Sequence, residues 1–214
     1  MTADSKIGNL DDPHIRSYRE SDLADLYDVC VRTGANGQDA RGMYDSDELL
    51  GDLYAAPYGI LEPETAFVVE DGGRVVGYII GARDTRRFVA AFREQWLPQI
   101  TDRYPPLEHE PATPDERIIA LLQRPEHMLV DELLDAYPAH LHIDLLADYQ
   151  GRGLGKKLMR VFLDELAESG VPGVHLGVGT DNTNAMAFYD RMGFTEVPIP
   201  RVGPGVAFLV RLTR

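Results

Sequence analysis

Apolar side chains recur at helical spacing in some stretches of this chain and in short unbroken runs in others, and the switches mark out its elements. Residues 14–18 form a short strand candidate. Ser21, of a residue type that caps helices, then precedes Leu23, Leu26, Tyr27 and Cys30 on one helical face. Glycine and asparagine at 34–37 break the chain, and a second helix is expected from Ser46 through Leu49, Leu50 and Leu53. Apolar runs at 65–69 and 75–80 flank Asp71-Gly72-Gly73, a turn that tolerates positive φ, and so predict an antiparallel hairpin.

Residues 84–138 read differently. Phe88, Phe92 and Trp96 recur every four residues in a run ended by Pro98, which makes one apolar helix face, read as a stripe packed on the domain in preference to an aromatic ligand box. Pro105, Pro106, Pro111 and Pro114 mark an irregular link, with short helices expected at 115–123 and 128–136. A strand follows over 140–146, then a glycine-rich loop, then a helix that buries Leu154, Leu158, Val161, Phe162 and Leu166. Strands at 174–178 and 206–210 complete the set, and this ordering gives a mixed α/β fold with helices on both faces of the sheet.

At 214 residues the chain can bury one substantial core, so the expectation is one domain over 1–214 with a helical insertion at about 84–138. The 21 Lys plus Arg against 35 Asp plus Glu leave a formal charge of -14, which opposes general binding to nucleic acid or an acidic membrane. Cys30 is the only cysteine, leaving no intrachain disulfide and no cysteine metal cluster, and it is expected in the core of the first helix. The polar start lacks the apolar stretch of a secretory signal, and no segment has the apolar length of a membrane helix, so a soluble cytoplasmic protein is expected.

Two segments carry the chemistry. Gln150-Gly151-Arg152-Gly153-Leu154-Gly155-Lys156-Lys157 joins a strand to a helix, where glycines let an anion approach unpaired amides at a helix N-terminus. Its spacing excludes the dinucleotide fingerprint, and Leu158 after Lys157 excludes the nucleotide P-loop. Asn182-Thr183-Asn184-Ala185-Met186-Ala187-Phe188-Tyr189-Asp190-Arg191-Met192-Gly193-Phe194 reads as a capped short helix, a glycine stop and a new strand. Together they resemble the GNAT superfamily of coenzyme-A-dependent N-acyltransferases. The family's Gln/Arg-x-x-Gly-x-Gly/Ala matches Gln150, Gly153 and Gly155, and its second motif matches Asn182, Ala185, Phe188-Tyr189 and Gly193-Phe194. The similarity covers residues 13–83 and 139–212. Upstream, the run from Tyr137 to Leu146 resembles bacterial acetyltransferases that share their fold with the C-terminal domain of the enzymes removing O-linked N-acetylglucosamine from proteins.

The resemblance implies a mostly antiparallel central sheet with a splayed parallel strand pair, acetyl-CoA as co-substrate, no metal, and transfer of the acetyl group to a primary amine by direct attack. A noncatalytic acyl-CoA-binding or regulatory module of the same fold is the alternative. By resemblance, backbone groups of Leu145 and Leu146 hold the pantetheine and acyl end. Amides of Gly151, Arg152, Gly153, Leu154, Gly155 and Lys156 cradle the pyrophosphate, with Gln150 at the loop's start and side-chain contacts from Arg152 and Lys156. Asn182 stands near the pantetheine arm, or simply caps its helix. Tyr189 matches the tyrosine that protonates the departing thiolate, against a core-packing role. His142 and Asp144 share a face because strand side chains alternate. Asp144 can take the amine proton directly or through water and His142 can tune or relay it, or both serve only as structural hydrogen-bonding groups. His140, His127 and Glu126 rank below them for the acceptor wall, and the insertion is either a lid or wall of that pocket or a dimerisation surface.

Overall fold

The computed structural model describes residues 12–200, 203 and 205–214. The polar start of the chain, residues 1–11, lies outside the described residues. Among the described residues, seven strands form one sheet: β1 (His14–Ser17), β2 (Phe67–Asp71), β3 (Arg74–Ala82), β4 (Ala139–Leu145), β5 (Gly173–Gly179), β6 (Thr195–Val197) and β7 (Val206–Leu212). Their order is β1-β2-β3-β4-β5-β7-β6, and every neighbouring pair is antiparallel except β4 with β5. The hairpin closes through Gly72 and Gly73, both at positive φ, with Asp71 opposite Arg74.

Helices α1 (Leu23–Thr33), α2 (Leu49–Tyr54) and α3 (Ala56–Leu61) precede the hairpin. Asp22 sits at the N-cap of α1 in place of Ser21, because residues 20–22 form a 3-10 turn in which the Asp22 carboxylate accepts from the Arg19 amide and the Arg16 guanidinium. The second expected helix begins at Leu49 and divides at Ala55, whose φ of -130° and ψ of -62° leave the helical region before Pro57 starts α3.

Between β3 and β4 lie α4 (Thr85–Ala91), α5 (Leu97–Ile100), α6 (Pro114–Gln123) and α7 (Asp131–Leu134). Pro98 does not end the aromatic run. A π-helical stretch at Phe92–Trp96 joins α4 to α5, and the Leu97 amide donates back to the Phe92 carbonyl, so the coil carries past the proline. The expected helix at 128–136 shrinks to a 3-10 turn at Pro125–Met128 and the single turn of α7. Phe88, Phe92 and Trp96 are all buried, as the apolar stripe requires, and Phe88 stacks on Tyr58 of α3 with ring centroids 4.4 Å apart. Trp96 Nε1 donates to the Asp52 carbonyl, while the wholly buried Asp52 carboxylate accepts from the hydroxyls of Tyr27 and Tyr104 and from Arg103. The ends of this stretch meet where Thr85 donates through its amide and its hydroxyl to the Pro138 carbonyl.

Helix α8 (Leu154–Glu168) buries Leu154, Leu158, Met159, Phe162, Leu163 and Leu166 against β2, β3 and β4, and α9 (Thr183–Arg191) follows β5. The opposite face of β3 and β4 is covered by α1 and α3. Cys30 lies buried in α1, as expected.

Candidate active site

The parallel pair β4 and β5 stays together for only two registers, Ala139 with Val174 and His140 with His175. Beyond them β4 follows β3 as far as Leu145 and β5 follows β7 as far as Gly179, so the two strands part and open a cleft between them. Backbone direction alternates along β4. The Leu146 amide donates to Val76 of β3 and its carbonyl accepts from the Tyr149 amide, whereas the Leu145 carbonyl points away from β3 and accepts from Gln150 Nε2 at 2.8 Å. Of the two leucines expected to hold the pantetheine, Leu145 is therefore the one whose backbone faces the cleft, and the backbone groups of Leu146 are engaged by the sheet and the following turn.

At the cleft mouth the loop adopts the form its glycines predict. Gly151 and Gly153 have φ of 72° and 77°, in the left-handed region, and Gly153 is the N-cap of α8. Among the described residues the amides of 151–156 donate to no backbone carbonyl, and the first return is from Lys157 to the Gly153 carbonyl. Consecutive free donors at the positive end of a fifteen-residue helix form an anion cradle. Gly155 is small for another reason: a Cβ there would lie 3.3 Å from Phe188 and 3.5 Å from Leu145. Arg152 rests over the Tyr149 ring at 5.2 Å, and the Tyr149 hydroxyl donates to Asp71.

Asp144, on the α1 side of β4, sits directly opposite Tyr78 in the sheet register, and the Tyr78 hydroxyl donates to Asp144 Oδ2 at 2.8 Å. Burial raises the Asp144 carboxyl above the ordinary aspartate value, and the Tyr78 hydrogen bond only partly opposes it. Tyr189 of α9 packs between Phe188 and Phe194. Burial, reinforced by the negative charge of Asp144, raises its phenol well above the usual value and keeps it protonated. Asn182 caps α9 by accepting from the Ala185 amide at 3.1 Å, which occupies its carbonyl oxygen and leaves its amide NH2.

His142 shares the face of Asp144 and approaches the Tyr58 hydroxyl through Nε2 at 3.1 Å. Burial lowers its pKa to about 4, so the ring is neutral at physiological pH. His140 is fully packed between Tyr58, Phe88 and Thr85. His127 and Glu126, also weighed for the acceptor wall, lie exposed on the Pro125–Met128 turn, where Glu126 pairs with Arg93 and His127 Nδ1 bonds the Arg124 carbonyl.

Sequence reasoning missed Tyr78 and Tyr58. Their signal exists only once strand register and the α3 docking are known. Cys30, remote in sequence from the two motifs, proves to lie beside Tyr78 and Asp144, and burial with the nearby carboxylate pushes its thiol up to about 12. A thiol held that firmly protonated is no nucleophile at neutral pH.

The acetyltransferase (GNAT) family pattern matches residues 38–194, the span that holds the cleft, the loop and α9. The chain belongs to this family of acetyltransferases. Its structure is similar to the crystal structure of SsHAT, with 51% sequence identity, a TM-score of 0.90, and coverage of 94% of this chain and 98% of that one. It is also similar in fold to YncA of Salmonella typhimurium, solved with its cofactor acetyl-CoA, at 17% identity and a TM-score of 0.55 over 94% of each chain. Among curated proteins it matches Protein O-GlcNAcase of Rattus norvegicus, 24% identical over 86% of this chain. The chain spans only 20% of that relative's length. Among the described residues, no helix is long and apolar enough to cross a membrane.

Proposed function

We propose that this GNAT protein transfers an acetyl group from acetyl-CoA to a primary amine by direct attack in a ternary complex. The observation that carries the proposal is the parting of β4 and β5 with the free amides of 151–156 at its mouth and the Asp144 and Tyr189 side chains within electrostatic reach of each other. Acetyl-CoA supplies the activated thioester, so the chain needs no acyl-accepting nucleophile of its own. The amides and α8 N-terminus hold the pyrophosphate, Leu145 backbone groups align the pantetheine, and the Asn182 NH2 is free to join them. Tyr189, held protonated, donates to the departing thiolate. Asp144 takes the amine proton, directly or through water, and its raised pKa makes it a stronger base than an exposed aspartate. His142, half-buried on the same face, completes the acceptor wall, with Tyr54 5.5 Å away by ring centroids.

Helices α4 and α7 with their connections belong to the same unit, a single domain over 1–214 with an insertion at about 84–138 that walls the acceptor side. The contacts of Phe88 and Met128 with Tyr58 support this placement.

Calorimetric titration with acetyl-CoA tests the first step, with saturable binding near one site per chain expected. Undetectable binding of every short acyl-CoA by the folded protein overturns the reading. Thiol release against amino sugars, small amines, amino acids and peptide N-termini tests the second. Tight binding with background turnover on every acceptor class favours a noncatalytic module of the same fold.

A further inference from the structure

A chain of short polar contacts runs inward from His142 and fixes which of its nitrogens carries the proton. At the inner end, Thr85 Oγ1 lies 2.7 Å from the Pro138 carbonyl oxygen. Two oxygens at that distance repel unless a hydrogen lies between them, so the single hydroxyl proton of Thr85 is committed to Pro138. His140 Nδ1, 2.8 Å from the same hydroxyl oxygen, must then be the donor. Burial, together with His175 and His142 nearby, holds His140 neutral, so its Nε2 is a bare acceptor. The Tyr58 hydroxyl therefore donates to His140 Nε2 at 2.9 Å, which it prefers to the weak thioether acceptor Met128 Sδ at 3.9 Å. Having spent its only proton, Tyr58 can accept alone from His142, whose Nε2 stands 3.1 Å away. His142 is thus protonated at Nε2 and bare at Nδ1.

We infer that Tyr58, backed by His140 and Thr85, is a positioning residue that fixes His142 in the Nε2–H tautomer, so that Nδ1 presents its lone pair as a hydrogen-bond acceptor for the incoming amine or the water that relays its proton. The inference rests on the acetyl-transfer reading for its catalytic consequence but not for the tautomer itself. Tyr58 is 1% exposed and His140 6%, whereas His142 keeps partial access to solvent, so the chain is anchored at its dry end. It does not conduct protons inward: a proton passed through Tyr58 would leave His140 charged in the core beside His175. A proton taken up at Nδ1 returns outward through water to the Asp144 carboxylate two residues along the same face, the group that takes the amine proton in the acetyl-transfer reading.

Nitrogen-15 NMR of histidine-labelled protein reads the tautomers without turnover. His142 is expected with a protonated Nε2 and bare Nδ1, and His140 with the reverse. Tyr58→Phe and Thr85→Val should each abolish the His142 preference, while Thr85→Ser, which keeps the hydroxyl, retains it. In the thiol-release assay Tyr58→Phe should lower kcat on the order of tenfold with KM for acetyl-CoA within about twofold. A proton on His142 Nδ1 in the parent overturns the inference, as does a His142 tautomer unchanged by Thr85→Val, or a kcat unchanged by Tyr58→Phe. Absence of turnover in the parent sinks the acetyl-transfer reading and with it the catalytic role of Tyr58, whereas the tautomer assignment stands or falls on the spectrum alone.

Discussion

Asp144 and His142 stand two residues apart on one strand, and burial moves each toward its neutral form. For His142 the pKa falls from 6.5 to about 4, so between those values an unfolded chain takes up a proton that the folded chain refuses. Stability should fall as pH drops from about 6.5 towards about 4, and His142→Gln should flatten that part of the profile while leaving it unchanged at higher pH. Thermal melts across pH check this, and a parent profile no steeper than that of the variant overturns it. For Asp144 the sign is opposite. A raised carboxyl pKa favours the protonated folded state, so ionisation weakens the fold as pH rises through the raised value. Asp144→Asn should be more stable than the parent at pH 8, with the gap closing in acid, and yet far slower. Both Asp144→Asn and Tyr189→Phe should depress single-turnover rates on the order of 100-fold with little effect on acetyl-CoA affinity. Rates within about threefold of the parent for both variants would refute the roles assigned to them.

At the scale of elements, α8 offers an internal control because left-handed glycines flank both its ends, Gly153 with φ of 77° and Gly170 with φ of 75°, neither with an atom within 4 Å of an added Cβ. Alanine at either position meets the same backbone strain, worth roughly 1–2 kcal/mol. Denaturant titration should therefore show similar destabilisation for Gly153→Ala and Gly170→Ala. Only Gly153→Ala should weaken acetyl-CoA by calorimetry, because only that end carries the free amides. Equal affinity for the two variants would separate the loop from the pyrophosphate. The α4 to α5 run shows how local propensity was overridden. Pro98 reads as a stop, but burial of Phe88, Phe92 and Trp96 on one side outweighs a lost amide when a π turn re-registers the hydrogen bonds.

Across the whole molecule, Asp52 joins residues far apart in sequence. Its buried carboxylate receives Tyr27 from α1 and Arg103 and Tyr104 from the segment after α5, so the insertion is fastened to the core through one charged group. Asp52→Ala leaves those donors without their acceptor and should cost about 3 kcal/mol. The same variant should speed protease cleavage within 101–113 before global unfolding, because that link loses its anchor. Unchanged stability and cleavage would show that the aromatic stripe alone seats the insertion.

The sequence by itself determined what is local. Glycine spacing at 150–155, the Asn182 to Phe194 run, the Gly72-Gly73 hairpin and the period of the α8 apolar face are all written within a few residues, because φ preference and helical or strand period act over that range. They were enough for the fold class and the family. The tertiary structure decided everything that depends on register and docking. It set where β4 leaves β5, turned the backbone of Leu145 rather than that of Leu146 to the cleft, and placed Tyr78 against Asp144 across β3 and β4. It also brought Tyr58 onto His140 and His142, contacts separated by 82 and 84 residues. No period encodes such pairings: they exist only after α3 and α4 pack on the sheet, and hydrogen-bond direction among buried polar groups then follows from counting donors against acceptors.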